Sequence, residues 1–204
     1  MTKKPLCLSL RLVYALPPMR KILSSLSQAL LLAGAVSLGG AAQAKETPIG
    51  PPTIQSGLEI TAVYLQPIEM DPPDMMRAAA QSDIHLEADI RATKENRNGF
   101  AEGDWVPALS VSFEITKLEG EAVTGPKVSG GLMPMVANDG PHYGDNVKLS
   151  GPGRYRLKLT VAPPGAHGHF GRHVDKETGV AEWFRPFDVI QDFTFAGIGK
   201  KGAY

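Results

Sequence analysis

From Pro107 onward apolar and polar positions alternate: Leu109, Val111, Phe113 and Ile115 are interleaved with Ser110, Ser112, Glu114 and Thr116. The same period returns in Tyr155, Leu157, Leu159 and Val161, interleaved with Arg156, Lys158 and Thr160. A period of two sends successive side chains to opposite faces, so both runs predict half-buried β-strands. Less regular strands are predicted over Leu58 to Leu65, Ile84 to Ala92, Val128 to Val136 and Phe187 to Phe195, each bounded by turn residues such as Asn98-Gly99, Gly125-Pro126 and Gly151-Pro152-Gly153. Only Pro73 to Ser82, with Met75, Met76 and three alanines, has the composition of a short helix, and Pro73 suits its first turn. Residues 45–56, KETPIGPPTIQS, carry three prolines and no period, and predict an extended leader ahead of the core. Six or seven short antiparallel strands in one domain, residues 57–204, predict an all-β sandwich, with a small barrel as the second choice.

The first 44 residues stand apart. Met19-Arg20-Lys21 supplies positive charge, Ile22 to Leu38 is mostly apolar and small, and Ala42-Gln43-Ala44 has the small-x-small form of a cleavage site. The segment predicts a signal peptide, residues 1–44, and a mature chain beginning at Lys45. An apolar run this short and this rich in Gly, Ala and Ser is a poor membrane span. The whole chain balances 21 Lys and Arg against 21 Asp and Glu. Residues 1–44 hold Lys3, Lys4, Arg11, Arg20 and Lys21 and no acid, so 16 basic residues face 21 acidic ones afterwards and the formal charge falls from 0 to −5. A protein of that charge is not a nucleic-acid binder. Cys7, the single cysteine, lies within the same segment, so thiolate catalysis and cysteine-ligated zinc are excluded for the mature protein.

Any metal must therefore use His, Met and carboxylates. His85 and Glu87 are two apart on a predicted strand, which puts both side chains on one face. Met133-Pro134-Met135 has the same spacing, with Pro134 limiting it to a strand edge or end. Seven residues after Met135, the turn-forming run Asp139-Gly140-Pro141-His142-Tyr143-Gly144 can bring His142 back beside it. Imidazole with thioether favours copper, while a carboxylate widens the choice to iron, manganese or zinc. Each residue also has a plainer role: isolated histidines are commonly surface or hydrogen-bonded groups, Met75, Met76 and Met133 suit packing, and His167 and His169 lie in a glycine-rich loop. No G-x-S-x-G, H-E-x-x-H or G-x-G-x-x-G run occurs, so no enzyme class is indicated and no small-molecule substrate is expected.

Several ordered blocks resemble one family. They are Ser82 to Asp89 (SDIHLEAD), Met133 to Ala137 followed by Asp139 to Gly144, Gly171 to Asp175 with Glu177 to Val180, and Phe193 to Gly197. Together they are similar to the periplasmic iron-uptake proteins related to the treponemal lactoferrin-binding lipoprotein, from about Gly57 to the C-terminus. The resemblance implies an immunoglobulin-like sandwich that forms a homodimer, binds copper (Cu²⁺) and iron (Fe²⁺ or Fe³⁺), and works beside an inner-membrane iron permease. It implies metal ligation by His85, Glu87, Met135 and His142, with His173 closing the site, in cis or from the second subunit, and Asp139 close by. Copper affinity would not by itself mean a copper function, because Cu²⁺ outbinds Fe²⁺ at almost any such site. Arg91 replaces a histidine that relatives often carry, which puts an auxiliary site there in doubt. Ala44-Lys45 stands where lipid-anchored members have cysteine, so a soluble periplasmic protein is expected. Imidazoles ligate as neutral groups, so metal affinity is expected to weaken as pH falls through the ordinary histidine range near 6.5. A copper-trafficking protein is the alternative reading; a sandwich that binds a protein or a sugar without metal would leave His85, His142 and His173 apart.

Overall fold

A computed structural model describes residues 45–165 and 169–198. Among the described residues nine strands follow in order: β1 (Thr47–Pro48), β2 (Thr53–Gln55), β3 (Leu58–Leu65), β4 (Ile84–Ala92), β5 (Ser110–Lys117), β6 (Lys127–Ala137), β7 (Gly140–Val147), β8 (Gly153–Ala162) and β9 (Phe187–Phe195). All pairings are antiparallel, in the order β1-β3-β4-β7-β6-β5-β8-β9, with β2 also on β3. The hinge of this arrangement is β6. Its first half, Lys127 to Leu132, pairs with β5, and its second half, Met133 to Ala137, pairs with β7. One long strand thus passes from one layer to the other, and the two layers close as a sandwich.

The inner faces are those predicted by alternation. Leu58, Ile60 and Tyr64 of β3, Ile84, Leu86 and Ile90 of β4, Val111, Phe113 and Ile115 of β5, and Tyr155, Leu157 and Leu159 of β8 form one buried cluster. Rings lock the layers together: Tyr64 lies 5.5 Å from Phe193 and 6.3 Å from Phe195, and its hydroxyl donates to the Thr194 carbonyl at 3.2 Å. Burying rings of this size against one another is worth more than their area alone, because tilted and edge contacts suit the ring quadrupole.

Three departures from the sequence reading have physical causes. The core does not wait for β3, since the leader pairs with it as β1 and β2 and Ile49 is fully buried. The Ser56-Gly57 turn between β2 and β3 has positive φ at both positions, which fits the right-handed twist of a tight hairpin. The run Asp139 to Gly144 is mostly strand rather than turn: Asn138-Asp139 makes a two-residue connection, and β7 then runs between β4 and β6. Pro73 to Ser82 is not an α-helix; the described residues there contain only a single 3₁₀ turn, Ala79–Gln81. Asp74 has φ 67°, outside the helical range, and Ala78 is extended with ψ 141°. Within this stretch the Arg77 carbonyl is met by a sheet side chain, the Asn146 amide, which also donates to the Ile68 carbonyl just ahead of it.

Candidate metal centre

Strand β4 carries an unusual second face. Ile84, Leu86, Ala88 and Ile90 point into the core, so His85, Glu87 and Asp89 point the other way, yet His85 is 0% exposed and Glu87 6%. Register explains what covers them. His85 pairs with Asn146 and Glu87 with Gly144 across β4 and β7, while Gly144 pairs with Met133 and His142 with Met135 across β7 and β6. Paired residues of an antiparallel sheet share a face, so His85, Glu87, His142, Met135 and Asn146 form one polar patch on three adjacent strands with Gly144 at its middle.

The donor atoms converge there. His85 Nε2 lies 3.6 Å and His142 Nε2 3.4 Å from the same Glu87 Oε1, with all three ligand atoms within 4.8 Å of one another. The imidazoles meet edge to face, centroids 6.0 Å apart. Neither Nε2 has a hydrogen-bond partner although both are buried. A buried polar nitrogen left unpaired costs stability, and two aimed at one carboxylate oxygen are what a cation would satisfy. Gly144 makes room: a Cβ there would lie 2.6 Å from His85 Nε2 and 3.2 Å from Met135 Cε, so the Met135 methyl borders the same position. Two imidazoles, a carboxylate and a thioether fit copper and iron well.

Electrostatics sharpen the picture. Burial lowers His85 to about 4, against the hydrogen bond it makes to Asn146 Oδ1, and lowers His142 as well. Burial pushes Glu87 up to about 8, helped by the nearby carboxylates of Glu46, Asp139 and Asp89. Burial thus favours the neutral form of all three groups. It shifts proton competition with a metal toward Glu87 and away from the ordinary histidine range near 6.5.

The five residues named from sequence divide unevenly. His85, Glu87, His142 and Met135 come together. His173 does not join them within the chain: it lies in the segment between β8 and β9 with its side chain 75% exposed, its Nδ1 2.8 Å from Thr178 Oγ1 and 3.9 Å from Asp175. His169 is exposed, and His167 lies outside the described residues. Arg91, in place of histidine, instead donates to the Gly103 carbonyl at 3.3 Å. Sequence reasoning missed Gly144 as the residue that makes room, and Asn146, whose Oδ1 stands 3.0 Å from His85 Nδ1. No short motif marks either; a strand assignment over Gly140 to Val147 would have put both on the site face.

Residues 43–197 match the family model described as Fe²⁺ transport protein. The chain belongs to that family. A UPF0423 protein of Brucella abortus is 62% identical over 86% of this chain and 96% of its own length. The 34 kDa membrane antigen of Treponema pallidum is 40% identical, covering 78% of each chain. Among solved structures, the copper-reconstituted P19 protein of Campylobacter jejuni superposes with a TM-score of 0.71 at 49% identity, covering 76% of this chain and 99% of that one. The iron-uptake resemblance read from the sequence blocks is thus the family to which this chain belongs, and its copper-containing relative shares the sandwich. No helix among the described residues is long and apolar enough to cross a membrane.

Proposed function

We propose that this protein is a periplasmic carrier of high-affinity iron uptake, which binds iron, and also copper, at His85, Glu87, Met135 and His142 and passes iron to an inner-membrane permease. The observation that carries the reading is the pair of buried imidazole Nε2 atoms, without hydrogen-bond partners, facing one Glu87 oxygen. Family membership supports iron as the cargo, and the copper held by the Campylobacter relative supports the mixed donor set. Burial raises the Glu87 carboxyl to about 8, so uptake of a cation would displace a proton there, while burial already favours the neutral His85 imidazole that ligation requires. The low exposure of His85, Glu87 and His142 limits competition from water for the ion.

Export follows from the signal-like residues 1–44, and a homodimer would let His173 of the partner subunit approach a site that the chain's own His173 does not reach. Growth of a deletion strain separates the cargoes. Poor growth under iron limitation, restored by the wild-type gene but not by one encoding His142→Ala, supports iron uptake. A defect confined to copper excess would instead favour the copper-trafficking alternative, which the thioether of Met135 suits.

A further inference from the structure

His85 can serve as a ligand through Nε2 only if that nitrogen carries no proton, and the structure contains a device that decides this. Asn146, buried on β7 opposite His85, has every polar atom of its carboxamide engaged. Its Nδ2 donates to the Ile68 carbonyl at 2.8 Å and to the Arg77 carbonyl at 2.9 Å, which uses both hydrogens. Its Oδ1 accepts the Ile68 N–H at 3.2 Å. Two carbonyls on one side and an N–H on the other leave the amide a single orientation, because a flipped amide would set oxygen against two carbonyl oxygens and NH₂ against an N–H. The atom 3.0 Å from His85 Nδ1 is therefore an oxygen acceptor. A neutral imidazole has one N–H, so the proton sits on Nδ1 and the lone pair on Nε2 points toward Glu87.

We propose that Asn146 is a positioning residue for metal capture: clamped between Ile68 and Arg77 of the segment joining β3 to β4, it holds His85 in the tautomer that presents a bare Nε2 to the ion. The inference rests on His85 being a ligand, as proposed above. It also explains why an amide stands at this position. A serine or threonine hydroxyl is too short and has too few donors to satisfy two carbonyls and accept two N–H groups, and a carboxylate would face the Ile68 and Arg77 carbonyls with no hydrogen to give. The clamp ties the order of the β3–β4 segment to the geometry of one metal ligand, so a disturbance at either end is felt at the other.

The direct test is ¹⁵N NMR of the imidazole nitrogens in the metal-free wild-type protein, combined with Cu²⁺ titration of wild type, Asn146→Leu and Asn146→Asp. The expected result is a protonated Nδ1 and an unprotonated Nε2 on His85 in wild type. Asn146→Leu should populate the opposite tautomer and weaken Cu²⁺ binding by about 10–100-fold, the usual effect of losing the partner that orients a ligating histidine. Asn146→Asp keeps an acceptor for Nδ1–H and should retain the wild-type tautomer, while its repulsion from the Ile68 and Arg77 carbonyls lowers stability and loosens the ligand geometry. A wild-type His85 protonated on Nε2, or an Asn146→Leu variant with unchanged tautomer and affinity, would overturn the proposal. The wild-type spectrum decides the tautomer even if a variant fails to fold. Absence of Cu²⁺ binding by wild-type protein with the expected tautomer would refute the proposed function while leaving the assignment of the proton intact.

Discussion

Replacing Gly144 with alanine adds one methyl group at the centre of the site. The added Cβ would stand 2.6 Å from His85 Nε2, 3.0 Å from His85 Cε1 and 3.2 Å from Met135 Cε, where ordinary contact begins at 3.4 Å, so the imidazole has to retreat by about 0.8 Å. Functional constellations tolerate about 0.5 Å before geometry is lost. The ring cannot swing freely, because Asn146 holds its other nitrogen and the strand pair β4–β7 fixes its backbone. Overpacking of this kind costs about 1–3 kcal/mol. Against it stands a gain of about 0.4–1 kcal/mol from restricting the unfolded chain, since Gly144 does not occupy the left-handed region. The net expectation is a modest loss of stability with a loss of metal affinity on the order of tenfold or more. Gly131→Ala is the control. It lies on β6, it too avoids positive φ, and the nearest atom to its new Cβ is the Val111 carbonyl oxygen at 3.9 Å. Urea denaturation and Cu²⁺ titration of both variants form the assay. Gly144→Ala binding copper as tightly as wild type, or both variants losing affinity equally, would refute the claim that the missing side chain makes room for the donors.

Two further predictions concern titration and the buried tyrosine. With Glu87 raised from 4.5 to about 8, the folded metal-free protein holds a proton that the unfolded chain does not, so stability is lost as pH rises across that window; with His85 lowered from 6.5 to about 4, stability is lost as pH falls across the other. From pH 6.5 to 8 Glu87 dominates, with a slope that falls toward half as the pH nears 8 and a total on the order of 1–2 kcal/mol, and a metal ion that displaces this proton should widen the gap between metal-loaded and metal-free Tm over the same range; calorimetry that finds a constant gap contradicts this. Tyr143 accepts the Leu109 N–H at 2.9 Å and donates to the Val106 carbonyl at 2.7 Å, both in the core, so Tyr143→Phe should cost about 1–3 kcal/mol in urea unfolding while leaving Cu²⁺ affinity unchanged, and a cost near zero would show that water replaces the hydroxyl.

Where one face of a strand is apolar and the other polar, the sequence is easy to read. Leu58–Leu65, Ile84–Ala92 and Phe187–Phe195 have the predicted limits, and His85 with Glu87 follows from the period of two once β4 is placed. Strand β7 was not legible for the opposite reason. Like β4 it is central and buried on both faces, but it lacks the apolar alternation of β4, because Gly140, Pro141 and Gly144 give it the composition of a turn while His142 and Asn146 lie on its second face. The helix expected near Met75 and Met76 failed because alanine and methionine content says nothing about what meets the backbone. Met75 is 52% exposed, which leaves little apolar burial to stabilise a helix, and a side chain 69 residues away satisfies the Arg77 carbonyl. Such long-range partners leave no local trace. The converse holds for His173, whose place in an ordered block carried the resemblance while its position within one chain is set by Thr178 and Asp175.

The central claim is that the buried donors of β4 and β7, His85, Glu87 and His142, form one metal site with the half-buried Met135 of β6. Titration of the metal-free protein with Cu²⁺, run in parallel on wild type, His142→Ala and His169→Ala, tests it most directly. His142 Nε2 faces Glu87 at 3.4 Å inside the site, whereas His169 is exposed on the segment after β8. Loss of a ligand should exceed the 10–100-fold cost of losing its orienting partner, so His142→Ala should weaken binding by more than about a hundredfold while His169→Ala remains like wild type. Equal loss in the two variants, or no loss in either, would contradict the account.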